Sequence, residues 1–199
     1  MGSAPKNPKI NWLHCMGDSI TNSDYTLFIP KSQQYTHRLQ VAIGGNCRAR
    51  NFGIPGNTST QMLARFADMT KKYIPTVSTI YSGINDTASD VSGGILQSNL
   101  ESMVDQLKNA GCNRIILCNI HNLPGVSGTD DAGYNAKRTI IQTVATNKNI
   151  VFCDLHTVSL IAGDYQTDGL HLTASGLQKL ADKIKATLDA QGWTAILQN

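Results

Sequence analysis

Five residues of this 199-residue chain are of types that together carry out acyl transfer, and they lie in four separate blocks. In Gly17-Asp18-Ser19-Ile20-Thr21, a serine follows an apolar run and a glycine that lets the backbone turn sharply. Such a serine can present both its hydroxyl and its own N–H to a substrate, although the same pentad fits a plain helix N-cap. In Asn51-Phe52-Gly53-Ile54-Pro55-Gly56-Asn57-Thr58-Ser59, Gly56 can expose a backbone N–H just ahead of a helix, where the first amides have no intrahelical acceptor. A simple strand-to-helix turn reads the same way. In Gly83-Ile84-Asn85-Asp86, the Asn85 amide is a neutral donor suited to an oxyanion, or else a turn residue. In Asp168-Gly169-Leu170-His171, one tight turn can let the carboxylate accept from one ring nitrogen and leave the other free to take a proton. By itself D-x-x-H is also the composition of a solvated loop.

What must position these residues is read from the hydropathy pattern. Apolar, β-branched runs at Asn11 to Met16, Cys47 to Ile54, Val77 to Ser82, Arg114 to Ile120 and Ile150 to Leu155 have the length of buried strands. Between them, helical spacing links Met62, Phe66, Met69 and Tyr73, with Thr58 or Ser59 as N-cap. A second stripe joins Leu96, Leu100, Met103, Val104 and Leu107 and ends at Gly111. Ile140, Ile141 and Val144 mark a third. Leu177, Leu180, Ala181, Ile184 and Leu188 mark a fourth, entered at Thr173 and ended by Gly192. A weaker helix is expected from Gln33 to Ile43. Strands alternating with helices predict a parallel sheet covered on both faces, a three-layer α/β/α sandwich. Sites in such sheets form beyond the carboxyl ends of the strands, where all four blocks fall. A serine, a glycine, an asparagine and an Asp/His pair in this order are the parts of a nucleophile, oxyanion donors, a general base and its orienting acid.

The four blocks resemble those of the SGNH hydrolases, the GDSL esterase/lipase family. Gly17-Asp18-Ser19 matches the nucleophile block, Gly56 within Gly53-x-x-Gly56-x-Thr58-Ser59 the glycine block, Gly83-x-Asn85-Asp86 the asparagine block and Asp168-x-x-His171 the terminal block. The resemblance runs from Gly17 to His171. It implies a flavodoxin-like fold with five parallel strands in the order 2-1-3-4-5 and a serine hydrolase acting on esters. It also implies Ser19 as nucleophile, His171 as base and Asp168 as its partner, with an oxyanion hole from the N–H groups of Ser19 and Gly56 and the Asn85 amide. No metal or organic cofactor is expected. The G-x-S-x-G signature of the larger α/β-hydrolase fold is absent.

Other histidines read as bystanders. His156, two residues after Asp154 on an expected extended segment, lacks a turn to join the pair. His14 falls in the first strand and His37 in a helix, and His121 ends the fourth strand on the site's rim, where a substrate contact is conceivable. Asp18 and Asp86 are expected to hydrogen-bond local backbone N–H groups.

Composition sets bounds. The net charge is 17 − 14 = +3, with no Lys/Arg run longer than Lys71-Lys72, which argues against a nucleic-acid platform. No apolar run reaches the roughly 18 residues of a membrane span. One unit spanning 1–199 is expected, with residues 1–9 flexible or partly tag-derived and no secretory signal peptide. Five cysteines without C-x-x-C spacing read as buried thiols in a reducing, cytoplasmic compartment. Only 16% of residues are charged, against about 25% in an average domain, and that uncharged surface would instead suit an extracellular or virion setting. Loops at Thr21 to Ser32, Thr87 to Gly94 and Asn122 to Tyr134 are expected to edge the site. They show no long apolar stretch, so a short acyl group, acetyl on a sugar or other polar alcohol, is the expected substrate. A broad lysophospholipase or thioesterase-like hydrolase, an idle carbohydrate-binding relative and a nucleotide binder are the alternatives.

Overall fold

The computed structural model describes residues 9–23, 29–71, 73–123 and 132–199. Five parallel strands, β1 (Asn11–Gly17), β2 (Cys47–Gly53), β3 (Val77–Tyr81), β4 (Ile115–Cys118) and β5 (Val151–Cys153), stand in the order β2-β1-β3-β4-β5. Every residue of β3 and β4 is buried, which is why these strands read as continuous apolar runs and not as alternating ones. Helices α3 (Ser59–Lys71), α5 (Gly93–Asn109) and α6 (Ala132–Asn147) pack in sequence as one layer. Helices α2 (Tyr35–Ile43), α7 (Ala174–Ala190) and α8 (Trp193–Gln198) form the other. Leu13, Met16, Phe66, Ile80, Leu100, Met103 and Leu107 fill the core between sheet and helices.

Local chemistry explains the element ends. Thr58, not Ser59, caps α3: its N–H donates to Gln61 Oε1 at 2.9 Å and its hydroxyl accepts from Gln61 N at 3.4 Å, a reciprocal capping box. Gly111, at φ 95, closes α5 as expected. Gly192, at φ 67, closes α7 as expected and at the same time caps α8, a helix with no counterpart in the sequence reading. Strand β4 stops short of Ile120 because the Asn119 side chain takes the Ile120 N–H at 2.9 Å. Strand β5 stops at Cys153 because Asp154 turns the chain into a 3₁₀ segment, Leu155–Thr157. Of the expected loops, Thr21 to Asn22 and Thr87 to Ala88 are helical, belonging to α1 (Ser19–Asn22) and α4 (Ile84–Ala88). Gly93 and Gly94 open α5, and Ala132 to Tyr134 open α6. The remaining calls for 24–28 and 124–131, and that for 1–8, lie outside the described residues.

Connections from β1 lead to β2 on one side and those from β2 lead back past it to β3, so the winding reverses at β1. A crevice opens there at the carboxyl edge. Arg65 on α3 braces that edge: its guanidinium donates to Gly17 O and Phe52 O, both at 2.9 Å, and its Nε to Asn57 Oδ1 at 2.7 Å. Removing a partly buried cation that satisfies two strand-end carbonyls should cost about 2 to 3 kcal/mol. Arg65→Met is therefore expected to lower the thermal midpoint clearly, measured by circular dichroism, with an unchanged far-ultraviolet spectrum at low temperature.

Candidate active site

Ser19 is the first residue of α1, a single turn laid across the carboxyl ends of β1 and β2. The approach is close enough that a Cβ on Gly53 would collide with Asn22 N and Asp18 O, and one on Gly17 with the Thr21 side chain. Two glycines paired across β1 and β2 therefore let the helix lie down on the sheet. Asp18 caps α1, accepting from Ile20 N at 2.9 Å, which is the local backbone bond expected of it. Its carboxyl is fully buried, and Oδ2 has no partner among the described residues. Burial, with the charge of Asp86 adding to it, pushes Asp18 up to about 7 against the pull of the Ile20 N–H. Ser19 N, as the first amide of the helix, has no preceding carbonyl in the helix to bind.

The Asp168–His171 turn is folded by Gly169 at φ 68 and by Gln166 N donating to His171 O at 2.7 Å. Asp168 Oδ1 accepts the N–H groups of Leu170 and His171, both at 2.9 Å, and Oδ2 meets His171 Nδ1 at 2.6 Å. Burial raises the carboxyl, but the His171 ring and these two amides outweigh it and hold Asp168 below its ordinary value. An ionised carboxylate only accepts, so Nδ1 carries a proton, and in the neutral ring Nε2 keeps its lone pair. That lone pair faces Ser19: Nε2 to Oγ is 2.9 Å, across 152 positions of sequence.

Gly56 sits at φ 76, where a side chain would be strained although open space surrounds it. Asn85 lies not on a turn but on α4, and its amide donates to Asn57 O at 3.0 Å, leaving its second hydrogen for another acceptor. The Gly56 turn is thus tied to Asn85. Asp86 adds a second tie, and a distant one where a local bond was expected: it accepts both the N–H (2.9 Å) and the hydroxyl of Ser59 at the start of α3, while Asn99 donates to that hydroxyl at 2.9 Å. The three oxyanion candidates follow β1, β2 and β3, adjacent strands of the sheet.

His121 does not face substrate. It is fully buried, and its Nε2 donates to Leu170 O (3.2 Å) inside the Asp168–His171 turn while Nδ1 accepts from Tyr81 Oη (2.7 Å). A carbonyl can only accept, which fixes the neutral tautomer. Burial, with the nearby charge of Arg138 adding to it, pushes His121 down to about 3, opposing its bond to Leu170. The rings of Tyr81 and Tyr165 lie 28° and 26° from parallel to the His121 ring with centroids 6.2 and 6.3 Å away, Tyr165 Oη donates to Asn122 O at 2.8 Å, and Arg138 binds His121 O at 2.9 Å. The sequence signal for this buttress was a histidine just beyond one buried strand and a tyrosine ending the strand before it. His156 is exposed on its 3₁₀ turn, where only its backbone meets Asp154 (3.2 Å). His14 is buried in β1 and His37 is half-buried on α2, away from the Ser19–His171 pair. Among the described residues, no group of three or more His, Cys, Asp or Glu is placed to hold a metal ion, and no helix is long and apolar enough to cross a membrane. All five cysteines are free and buried, as expected.

A flavodoxin-like α/β/α sheet with a serine, a histidine and an aspartate joined at its carboxyl edge defines a hydrolase class distinct from the G-x-S-x-G enzymes. Residues 15–179 match the GDSL-like Lipase/Acylhydrolase family, and the chain belongs to it. Solved structures share the fold. A protein named TesA superposes with a TM-score of 0.79 at 26% identity, covering 90% of this chain and 99% of that one. An acetyl xylan esterase, AlAXEase, gives 0.76 at 18% identity, covering 89% and 99%. The psychrotrophic esterase EstA from Pseudoalteromonas sp. gives 0.76 at 18% identity, covering 91% and 98%. No curated protein matches the chain.

The His121 bridge and the buried Asp18 each give a test. His121→Phe leaves Leu170 O without its donor, and a loosened His171 turn should lower kcat on a p-nitrophenyl ester by about tenfold to a hundredfold with KM little changed. His121→Gln, which can donate and accept in the same places, should retain most of the rate. For Asp18, the folded protein binds a proton that the unfolded chain has already lost between pH 4 and 7, so this group's contribution to stability falls as pH rises through that window. Asp18→Asn, which keeps the cap, should gain thermal stability relative to wild type progressively from pH 4 to 7 and hold that gain above it.

Proposed function

We propose that the protein is a serine esterase that removes short acyl groups, acetyl foremost, from a polar alcohol such as a sugar, through an acyl-enzyme. The observation that carries this reading is the hydrogen-bonded chain Ser19 Oγ, His171 Nε2, His171 Nδ1, Asp168 Oδ2, with links of 2.9 and 2.6 Å. In the first half-reaction, Ser19 Oγ attacks the ester carbonyl carbon as its proton passes to His171 Nε2. The imidazolium so formed is held by the Asp168 carboxylate, already ionised at neutral pH because its partners hold it low. The oxyanion receives the N–H groups of Ser19 and Gly56 and the second hydrogen of the Asn85 amide. His171 then protonates the departing alcohol, leaving acyl-Ser19. A water deprotonated by His171 attacks the acyl carbon, and the proton returns to Ser19 as the acid leaves.

Support for a small acyl group comes from the space beside the nucleophile. The cavity lined by Ser19, Ile20, Ser23, Gln166, His171, Leu172 and Leu177 is about 10 Å³, room for roughly one water. A panel of p-nitrophenyl esters is expected to show kcat/KM falling steeply from acetate to octanoate, and acetylated sugars should be hydrolysed. Ser19→Ala should abolish turnover while keeping the melting temperature. Asn85→Ala should lose roughly two to three powers of ten in kcat, the usual cost of one oxyanion donor. Undiminished hydrolysis by Ser19→Ala, or rates rising with chain length, contradicts the reading.

A further inference from the structure

Charge is unevenly distributed along the chain. Between Asp24 and Asp68 the sequence holds no acidic residue, yet five of the 17 Lys and Arg lie there: Lys31, Arg38, Arg48, Arg50 and Arg65. That stretch carries +5, and the remainder carries 12 − 14 = −2. Structurally, much of it is the α2–β2 unit, which makes one lateral edge of the sheet. A groove runs along that edge, lined by Lys31, His37 and Arg50 together with Gln34, Gln40 and Asn51, and among the described residues no carboxylate lines it.

Three features make this a prepared surface. Arg50 is held in place, its guanidinium 4.9 Å from the Trp12 ring centroid and 4.6 Å from that of Tyr73. The outer edge of β2 is not open for pairing with another strand: Gln40 Oε1 takes Ala49 N and Asn51 Oδ1 takes Gly53 N, both at 2.9 Å. Finally, the groove meets the site. Asn51 Nδ2 donates to Thr21 O at 2.7 Å, so one end of the groove abuts α1 within two residues of Ser19.

We propose that this groove binds an anionic glycan, a carboxylate-bearing polysaccharide whose ester-carrying hydroxyl reaches Ser19 while neighbouring sugars lie along β2. The proposal rests on the esterase reading for its substrate role. Single cations spaced among amides and the Thr36 hydroxyl match a polymer with about one carboxylate per sugar and many hydroxyls. A nucleic acid, with its denser charge, calls for clustered Lys and Arg. The positive potential also reaches inward: Arg50 joins burial in holding the neighbouring His14 down at about 4.

The test measures binding and turnover separately. Binding of polygalacturonate, dextran and double-stranded DNA to the Ser19→Ala protein is followed by isothermal calorimetry at about 20 and 150 mM salt. Polygalacturonate is expected to bind, to weaken at the higher salt, and to lose about fivefold or more in affinity when Lys31→Gln and Arg50→Gln are combined. Lys31→Gln alone, at an exposed side chain, should lose about twofold. In a background with Ser19 intact, both variants should hydrolyse p-nitrophenyl acetate at the wild-type rate. Equal affinity for dextran, tighter binding of DNA than of polygalacturonate, or unchanged affinity in the variants overturns the groove proposal. Failure of wild type to hydrolyse p-nitrophenyl acetate instead overturns the esterase reading, and the calorimetry still reports on the groove.

Discussion

The hydrogen bond between Ser19 Oγ and His171 Nε2 is the constraint to which the surrounding structure is fitted. It joins the first turn of the chain's first strand connection to a turn near the start of its last long helix, and 2.9 Å leaves little tolerance at either end. On the serine side, Gly17 and Gly53 remove the side chains that would lift α1 off the sheet, Asp18 caps its N–H groups, and Arg65 pins the strand ends below it. On the histidine side, Asp168 satisfies two backbone amides and the ring at once, so the turn and the tautomer are set by one carboxylate.

Buried polar groups do more of this positioning than apolar packing does. His121 joins β4 to the His171 turn, and Tyr81 at the end of β3 fixes which nitrogen of His121 bears the proton. Asp86 and Asn85 join α4 to the turn that holds Gly56. Each of these groups is satisfied by a partner from a different strand connection, so a shift in one loop leaves a polar atom unpaired elsewhere. That penalty, of order 1 to 3 kcal/mol per group, makes the rim behave as one unit. Asp18 departs from this pattern. Its Oδ2, without a partner among the described residues, and its upward-shifted carboxyl show a stability cost built into the serine's own turn.

Much of this was legible in the sequence because parallel strands covered on both faces are continuous apolar runs, and the residue types of the site are few. The strands, the long helices and the five site candidates follow from that, whereas the strand order came only with the resemblance to the SGNH hydrolases. What escaped was short or non-local. Helices α1, α4 and α8 have four to six residues, too few to show a 3.6 period. The contacts of His121 and Asp86 cross from one strand connection to another, so no local spacing announces them. The role of Arg65 depends on two carbonyls that only the folded sheet brings within its reach. The cationic edge escaped a reading based on Lys/Arg runs, because its cations are spaced along the chain and gather only when α2 and β2 lie side by side next to α1.

The account depends most on Ser19 being activated by His171. Its most direct measurement is intact-protein mass spectrometry with peptide mapping after exposure to a fluorophosphonate, on wild type and on His171→Ala. One adduct confined to Ser19 in wild type, formed at least a hundredfold more slowly in His171→Ala, on the order expected for loss of the general base, is the predicted result. Labelling at another serine, or equal labelling of Ser19 in both proteins, would contradict it.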